Sequence, residues 1–175
     1  MNWGGGAYDP ATRLLVTPVS NLPFYARLVP VTNRDEIRDD DPMAGFAFGP
    51  PGTQSGTPYA LEQRPLVAKP TMPVPCVAPP WSELVAVDMA RAEVKWRIPL
   101  GTIDKLSPVP LPLDWGTPTA GGPIVTAGRI AVMAGTTDER IRAWDLETGR
   151  ELWQHALPVS GHATPMTYEI EGRQF

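Results

Sequence analysis

The chain runs to 175 residues, of which 22 are proline and 16 glycine, and it carries a formal net charge of −4 with an isoelectric point near 5.1. So many helix-breaking residues exclude a compact helical protein and favour strands with long connections, while the lack of any cluster of Lys and Arg excludes a nucleic-acid surface. The single Cys76 cannot close an internal disulfide, no stretch of these residues reads as a signal peptide, and no apolar run approaches the roughly 18–20 residues of a membrane-spanning helix.

In chain order, the first predicted element is the strand pair "YDPATRLLVTPVS" (Tyr8 to Ser20), with an Asp-Pro turn leading into the apolar strand Leu14 to Thr17. Two proline-rich stretches follow, "LPFYARLVPVTN" and "KPTMPVPCVAPPW". Proline fixes φ and removes a donor, so these read as stiff, extended loops without strand partners, of the kind that cap a sheet assembly and line a site. Between them, "NRDEIRDDD" (Asn33 to Asp41) reads as a solvated loop of mixed charge; as a calcium loop it lacks the required Gly and terminal Glu.

The next elements carry an internal repeat. "AVDMARAEVKW" (Ala86 to Trp96) and "AWDLETGRELW" (Ala143 to Trp153) share Ala-x-Asp, then a small residue, and Trp at the eleventh position. Each reads as a β-hairpin. An apolar strand (Leu84 to Val87; Ile141 to Trp144) reaches an Asp whose side chain can bond the amides of its own turn. Gly149 is placed where φ must be positive, with Ala92 standing in its position in the first copy, and each Trp is expected to pack on the neighbouring unit. The copies are further apart than the roughly 40–45 residues of a common propeller blade, an excess that the proline-rich insert Pro99 to Pro118 accounts for. Before the second hairpin, "GGPIVTAGRIAVMAGT" reads as two strands around an Ala127-Gly128 turn. At the end, Met166 to Ile170 opens a strand, Gly172 turns it, and Gln174-Phe175 begin the return. Four-stranded units in series, each closed by a Trp hairpin, predict an all-β fold made of β-propeller blades. About two complete blades and parts of others can be counted. That count and the late hairpin predict a portion of a larger ring, of marginal stability alone and with open blade edges available for self-association.

Four stretches also carry a family likeness: "NWGGGAYDP", "GTPYALEQRPLVAKPTMPVPCVAPPW", "LGTIDKLSPVPLPLDWGTPTAGGPIVTAG" and "TTDERIRAWDLETGRELWQHALPVSGHATPMTYEIEGRQF". In this order they resemble the C-terminal part of the membrane-bound quinoprotein dehydrogenases of the glucose, quinate and shikimate group, which use pyrroloquinoline quinone (PQQ). The resemblance implies that residues 1–175 are the last blades of an eight-bladed propeller with Trp-docking motifs, the early blades and an N-terminal membrane segment lying outside the chain. It also implies the parent reaction. A sugar, polyol or quinate-type hydroxyl is oxidised at PQQ with calcium beside it, electrons pass to ubiquinone, and the active domain lies on the periplasmic face of the bacterial inner membrane.

Carried over residue by residue, the resemblance places Asn2 and Trp3 at the family's Asn-Trp pair, whose Asn contacts the quinone; an amide donor suits the carboxylates and carbonyls of that cofactor. Ala120, Gly121 and Gly122 correspond to backbone that passes close to the cofactor, a simple strand-entry turn being the alternative reading. Asp138 corresponds to an acidic position near the site, or belongs to the turn between Thr137 and Ile141. His162 and Thr164 fall where the loop of the last blade approaches the pocket, with His162 standing where relatives have Gln. The catalytic carboxylate, the calcium ligands and the lysine that pairs with the quinone fall upstream of the Asn-Trp motif in this family, so no catalytic or metal residue is assigned here and the chain alone is expected to be inactive. The alternatives are a propeller-like interaction module without redox chemistry, and one half of a split enzyme.

Overall fold

The structure is a computed structural model that describes residues 5–30, 52–53, 56–68, 74–105 and 113–175. Asn2, Trp3 and the charged run Asn33 to Asp41 lie outside the described residues. The described residues contain no helix. Their strands are β1 (Ala7–Asp9), β2 (Leu14–Ser20), β3 (Phe24–Pro30), β4 (Gly52–Thr53), β5 (Tyr59–Pro65), β6 (Val67–Ala68), β7 (Val74–Pro75), β8 (Ser82–Asp88), β9 (Glu93–Pro99), β10 (Ile124–Val125), β11 (Ile130–Met133), β12 (Arg140–Asp145), β13 (Glu151–Ala156), β14 (Glu169–Ile170) and β15 (Arg173–Gln174).

Two compact units divide the chain, residues 22–78 forming one and the remainder the other. The larger unit holds two antiparallel four-stranded sheets, ordered β1-β2-β8-β9 and β10-β11-β12-β13. Each is a blade built as two successive hairpins, which is the unit that the repeat predicts. In the first blade the smaller unit is spliced between β2 and β8. The two stems of that splice are tied together, because the Asn21 amide donates to the Trp81 carbonyl at 2.9 Å and the Asn21 side chain donates to the Pro80 carbonyl and to Glu83, each at 3.1 Å.

One local device shapes three of the hairpins. Asp9, Asp88 and Asp145 each end a strand and accept hydrogen bonds from the turn they open: Asp9 from the amides of Ala11 and Thr12, Asp88 from those of Ala90 and Arg91, and Asp145 from that of Thr148. The residue four positions on then takes a left-handed backbone, with φ of 61° at Arg13, 56° at Ala92 and 73° at Gly149. Glycine adopts this without strain, whereas a side chain there costs energy. Just before the Asp, β8 and β12 carry a register shift at the same repeat position, between Ala86 and Val87 and between Ala143 and Trp144. Such bulges increase local twist, and here they bring Trp96 opposite Ala86 and Trp153 opposite Ala143.

The main core is the seam between the two blades. Leu14, Val16, Leu84 and Ala86 of the first pack with Ala131, Met133, Trp144 and Leu146 of the second, all nearly inaccessible to solvent. Trp96 seals this seam. Its indole Nε1 donates to the Leu146 carbonyl at 2.9 Å, and its ring lies so close to Gly149 that a Cβ there would sit 2.8 Å from the ring. A Lys95–Glu147 ion pair at 2.5 Å spans the same seam. The predicted docking of the hairpin Trp on the neighbouring unit is therefore realised at Trp96. Trp153 is 51% exposed and stacks on His155, two residues along its own strand.

The proline-rich stretches differ from the sequence expectation. Phe24–Pro30 is not an unpaired loop: it pairs along its whole length with Tyr59–Pro65, and Val74–Pro75 pairs with Val67–Ala68. Proline only removes its own donor, and Pro23 and Pro30 flank a six-residue run whose amides are intact. Because the sheet order is β3-β5-β4, β3 is an edge strand, where a terminal proline is tolerated. Pro18 within β2 has a similar explanation, since the pairing with β1 ends at Val16 and leaves that side of the strand unpaired. At the other end of the chain, Glu171 and Gly172 both have positive φ, as a two-residue hairpin turn of type I′ requires, and Tyr168 and Phe175 exchange both backbone hydrogen bonds.

Candidate functional site

Three loops of the larger unit meet at one end of the second blade: residues 113–122 from the blade-to-blade connection, 134–139 between β11 and β12, and 157–164 after β13. They are joined mostly through backbone. The Ala120 amide donates to the Gly135 carbonyl at 2.9 Å, Thr119 bridges Thr136, and the Leu157 amide donates to the Glu139 carbonyl at 2.7 Å. The Gly122 amide donates to the Thr164 hydroxyl at 3.1 Å, and the Ser160 hydroxyl donates to the Thr137 carbonyl at 3.4 Å.

Glycine makes this approach possible. A Cβ on Gly135 would collide with the Ala120 carbonyl, and one on Gly121, whose φ is +79°, would lie 2.9 Å from the His162 carbonyl. The loops thus pack backbone on backbone, with His162 and Thr164 left exposed beside that contact. Ala120, Gly121, Gly122, His162 and Thr164, five of the residues singled out from the sequence, are brought together here.

Asp138 is placed differently. It is fully buried, and its carboxylate is surrounded by donors. Arg142 reaches it through two nitrogens, the Thr136 hydroxyl donates to it at 2.5 Å, and the Thr102 amide donates at 2.9 Å. Burial by itself would raise its pKa, but the hydrogen bonds from Arg142 and Thr136 and the Arg142 charge outweigh it and hold the carboxyl below the ordinary value of 3.8. Arg140 extends the network, donating to Asp104 at 2.7 Å and to the Thr102 hydroxyl at 2.8 Å. Asp104 is likewise held below 3.8: burial opposes ionisation, and the hydrogen bonds from Arg140 and Thr102 prevail.

The chemistry of this cluster is that of a clamp. Two carboxylates facing two guanidiniums fix the connection at Thr102 and Asp104 to β12, and both carboxylates are held ionised with donors already on their oxygens. Arg140, Arg142, Thr102 and Asp104 were missed in the sequence reading. The signal was present, since "DERIR" places Asp138, Arg140 and Arg142 at a two-residue period, which puts all three on one side of an extended chain. Trp81 and Trp115, in edge-to-face contact at 5.7 Å, were not singled out either; they anchor the far end of the same connection, where the Trp81 amide donates to the Trp115 carbonyl at 2.6 Å. Among the described residues no group of three or more His, Cys, Asp or Glu is placed to hold a metal ion.

All residues from 1 to 175 match the family described as PQQ: glucose/ethanol/alcohol dehydrogenase, beta-propeller domain. The chain belongs to this family of PQQ-dependent dehydrogenases. The chain is 39% identical over 186 residues to the glycerol dehydrogenase large subunit of Gluconobacter oxydans, covering 99% of the chain and 25% of that relative. It is 34% identical over 183 residues to the quinoprotein glucose dehydrogenase of Escherichia coli, covering 99% and 22%. Among solved structures it is similar to the quinohemoprotein alcohol dehydrogenase from Comamonas testosteroni, with a TM-score of 0.56 at 26% identity over 99% of the chain and 21% of that structure. The chain therefore spans about a quarter or less of the length of these relatives, and its two four-stranded sheets are propeller blades.

Proposed function

We propose that the meeting of residues 120–122 with residues 162–164 forms one wall of a PQQ site, in an enzyme that oxidises a hydroxyl of a sugar, polyol or quinate-type acid and passes electrons to ubiquinone. The observation that carries this reading is the close packing of Gly121 and Gly122 against the loop that carries the exposed polar residues His162 and Thr164. A flat cofactor needs close approach, which glycine permits, and its carboxylates and carbonyls need donors, which the imidazole and the hydroxyl can supply. The bound quinone supplies the hydride acceptor. The chain's own part is to position it and to exclude water from one side.

The parent works with calcium at the periplasmic face of the inner membrane, and the ligands of that ion are supplied by other parts of it. The buried or half-buried carboxylates Asp104 and Asp138 are held by arginines, which favours a general base contributed from elsewhere and an isolated chain without turnover. Asn2 and Trp3 contribute to the same cofactor site in this reading, and isolated copies self-associate. The test is a titration of the purified chain with PQQ and calcium, followed by cofactor absorbance and by dye reduction with glucose, glycerol and quinate. Saturable binding without dye reduction is the expected result. Turnover would place the general base inside this chain, and absence of binding would remove the assigned wall.

A further inference from the structure

The loop of residues 134–139 lies between the two halves of the proposed wall and touches both. Toward residues 118–122, its Gly135 carbonyl accepts the Ala120 amide at 2.9 Å and Thr136 bridges Thr119. Toward residues 157–164, the Thr137 carbonyl accepts the Ser160 hydroxyl and the Glu139 carbonyl accepts the Leu157 amide. Gly161 also packs so tightly that a Cβ on it would lie 2.8 Å from the Ala134 carbonyl. The placement of this loop therefore sets the placement of both halves. Thr136 and Asp138 fasten it to its own blade. Asp138 is held by Arg142 of β12, and the Thr136 hydroxyl sits between them, donating to Asp138 at 2.5 Å and accepting from Arg142 at 3.2 Å. Arg142 is fixed in turn by its strand, opposite Met133, and by Glu151 at 3.6 Å. Thr136, Asp138 and Arg142 are 2%, 1% and 4% exposed, so all three lie out of reach of a ligand on the wall.

We propose that Thr136 is a positioning residue for the cofactor wall: its hydroxyl couples the buried Asp138–Arg142 pair to the backbone of residues 119–122, so that the affinity for PQQ depends on side chains that never touch it. The role calls for a hydroxyl. A threonine hydroxyl donates one hydrogen bond while accepting another, and here it donates to a carboxylate and accepts from a guanidinium, which makes both bonds charge-assisted. Valine has nearly the same shape and can do neither. Without the hydroxyl the turn at residues 134–136 loses its tie to β12, and the Ala120 amide and the glycines after it shift with the turn. The blade itself stays closed, because β11 and β12 are paired from Ile130 and Asp145 to Met133 and Arg142 by backbone alone. Closure of the blade and placement of the wall are thus separable. The inference rests on the reading of residues 120–122 as part of a PQQ wall, but the coupling is a property of the cofactor-free chain and is measured without the cofactor.

Thr136→Val and Thr136→Ser, each checked for folding by circular dichroism, test it in two readouts. In hydrogen–deuterium exchange of the cofactor-free chain, the Ala120 and Gly122 amides of Thr136→Val should exchange about tenfold faster than in wild type, over and above any change in β12. In titration with PQQ and calcium, Thr136→Val should raise the dissociation constant roughly tenfold, the factor that matches the net worth of one hydrogen bond. Thr136→Ser should restore both, with a dissociation constant within about threefold of wild type. Gly149→Ala, which strains the blade seam and leaves this loop alone, controls for a merely structural effect and should bind PQQ as wild type does. Should Thr136→Val not fold, Asp138→Leu combined with Arg142→Met removes the same anchor by exchanging the buried pair for apolar side chains, a change that such pairs commonly tolerate, and should give the same two effects. Unchanged exchange at Ala120 and Gly122, no rescue by serine, or faster exchange with unaltered PQQ affinity would each overturn the proposal. A wild-type chain that binds no PQQ would instead remove the wall, while the exchange rates still decide the coupling.

Discussion

Replacing Gly149 with alanine perturbs the blade seam at its tightest point. Two costs add. A φ of +73° strains any residue with a side chain, by about 1–2 kcal/mol. The new methyl would also sit 2.8 Å from the Trp96 ring, so the ring must retreat. Retreat breaks the 2.9 Å bond from Trp96 Nε1 to the Leu146 carbonyl, which contributes about 1 kcal/mol, and opens the packing over Leu146. The expected loss is about 2–4 kcal/mol, a large share of a marginal stability. Urea unfolding monitored by tryptophan fluorescence, at concentrations low enough to keep the chain monomeric, measures it. Trp96→Phe, which removes the donor and part of the ring without strain at residue 149, should cost less than Gly149→Ala. A Gly149→Ala chain within about 0.5 kcal/mol of wild type would refute the reasoning, because it would mean that the indole does not rest on this turn.

Arg142→Met removes the main partner of a buried carboxylate, so Asp138 is left charged and desolvated; a loss of about 3–5 kcal/mol is expected in the same unfolding assay, largely relieved by adding Asp138→Asn. The Thr117 hydroxyl is buried without a hydrogen-bond partner among the described residues, so Thr117→Val should be neutral or slightly stabilising, and a loss above about 1 kcal/mol would show that the hydroxyl is bonded. Asp138 and Asp104, together with the turn carboxylates Asp9, Asp88 and Asp145, all have pKa values below 3.8 in the folded chain. Their contribution to stability is complete above that value and is lost as pH falls through the lower folded values. The urea midpoint should therefore hold from neutral pH down to about pH 5 and drop below it, and Asp145→Ala should make the drop shallower.

Much of the fold could be read from local chemistry. Asp145 and Gly149 announce a turn because a carboxylate that bonds its own turn amides and a residue free to take positive φ are both needed at that spacing, and Trp96 and Trp153 follow at a fixed distance. Ala92 shows how far the rule holds: the left-handed backbone is kept even where glycine is absent. Phe24–Pro30 was hidden because proline flanks it, and its partner Tyr59–Pro65 lies too far along the chain for any local pattern to signal the pairing. At the site, Gly121 and Gly122 were legible, through the family resemblance, as backbone that passes close to something, whereas Gly135 was not. What Gly121 approaches could not be read, since His162 comes from the loop after β13, four strands further along the chain. Asp138 was legible as acidic and near the loops, but its role in the clamp depends on Thr102 and Asp104, which reach it only through the blade-to-blade connection.

Hydrogen–deuterium exchange of the chain with and without PQQ and calcium tests the central claim most directly. The account predicts slowed exchange in residues 118–122 and 161–164, with the β13 amides unchanged. Unchanged exchange in both loops at saturating cofactor, or protection located elsewhere, would contradict the assignment of this surface to the cofactor.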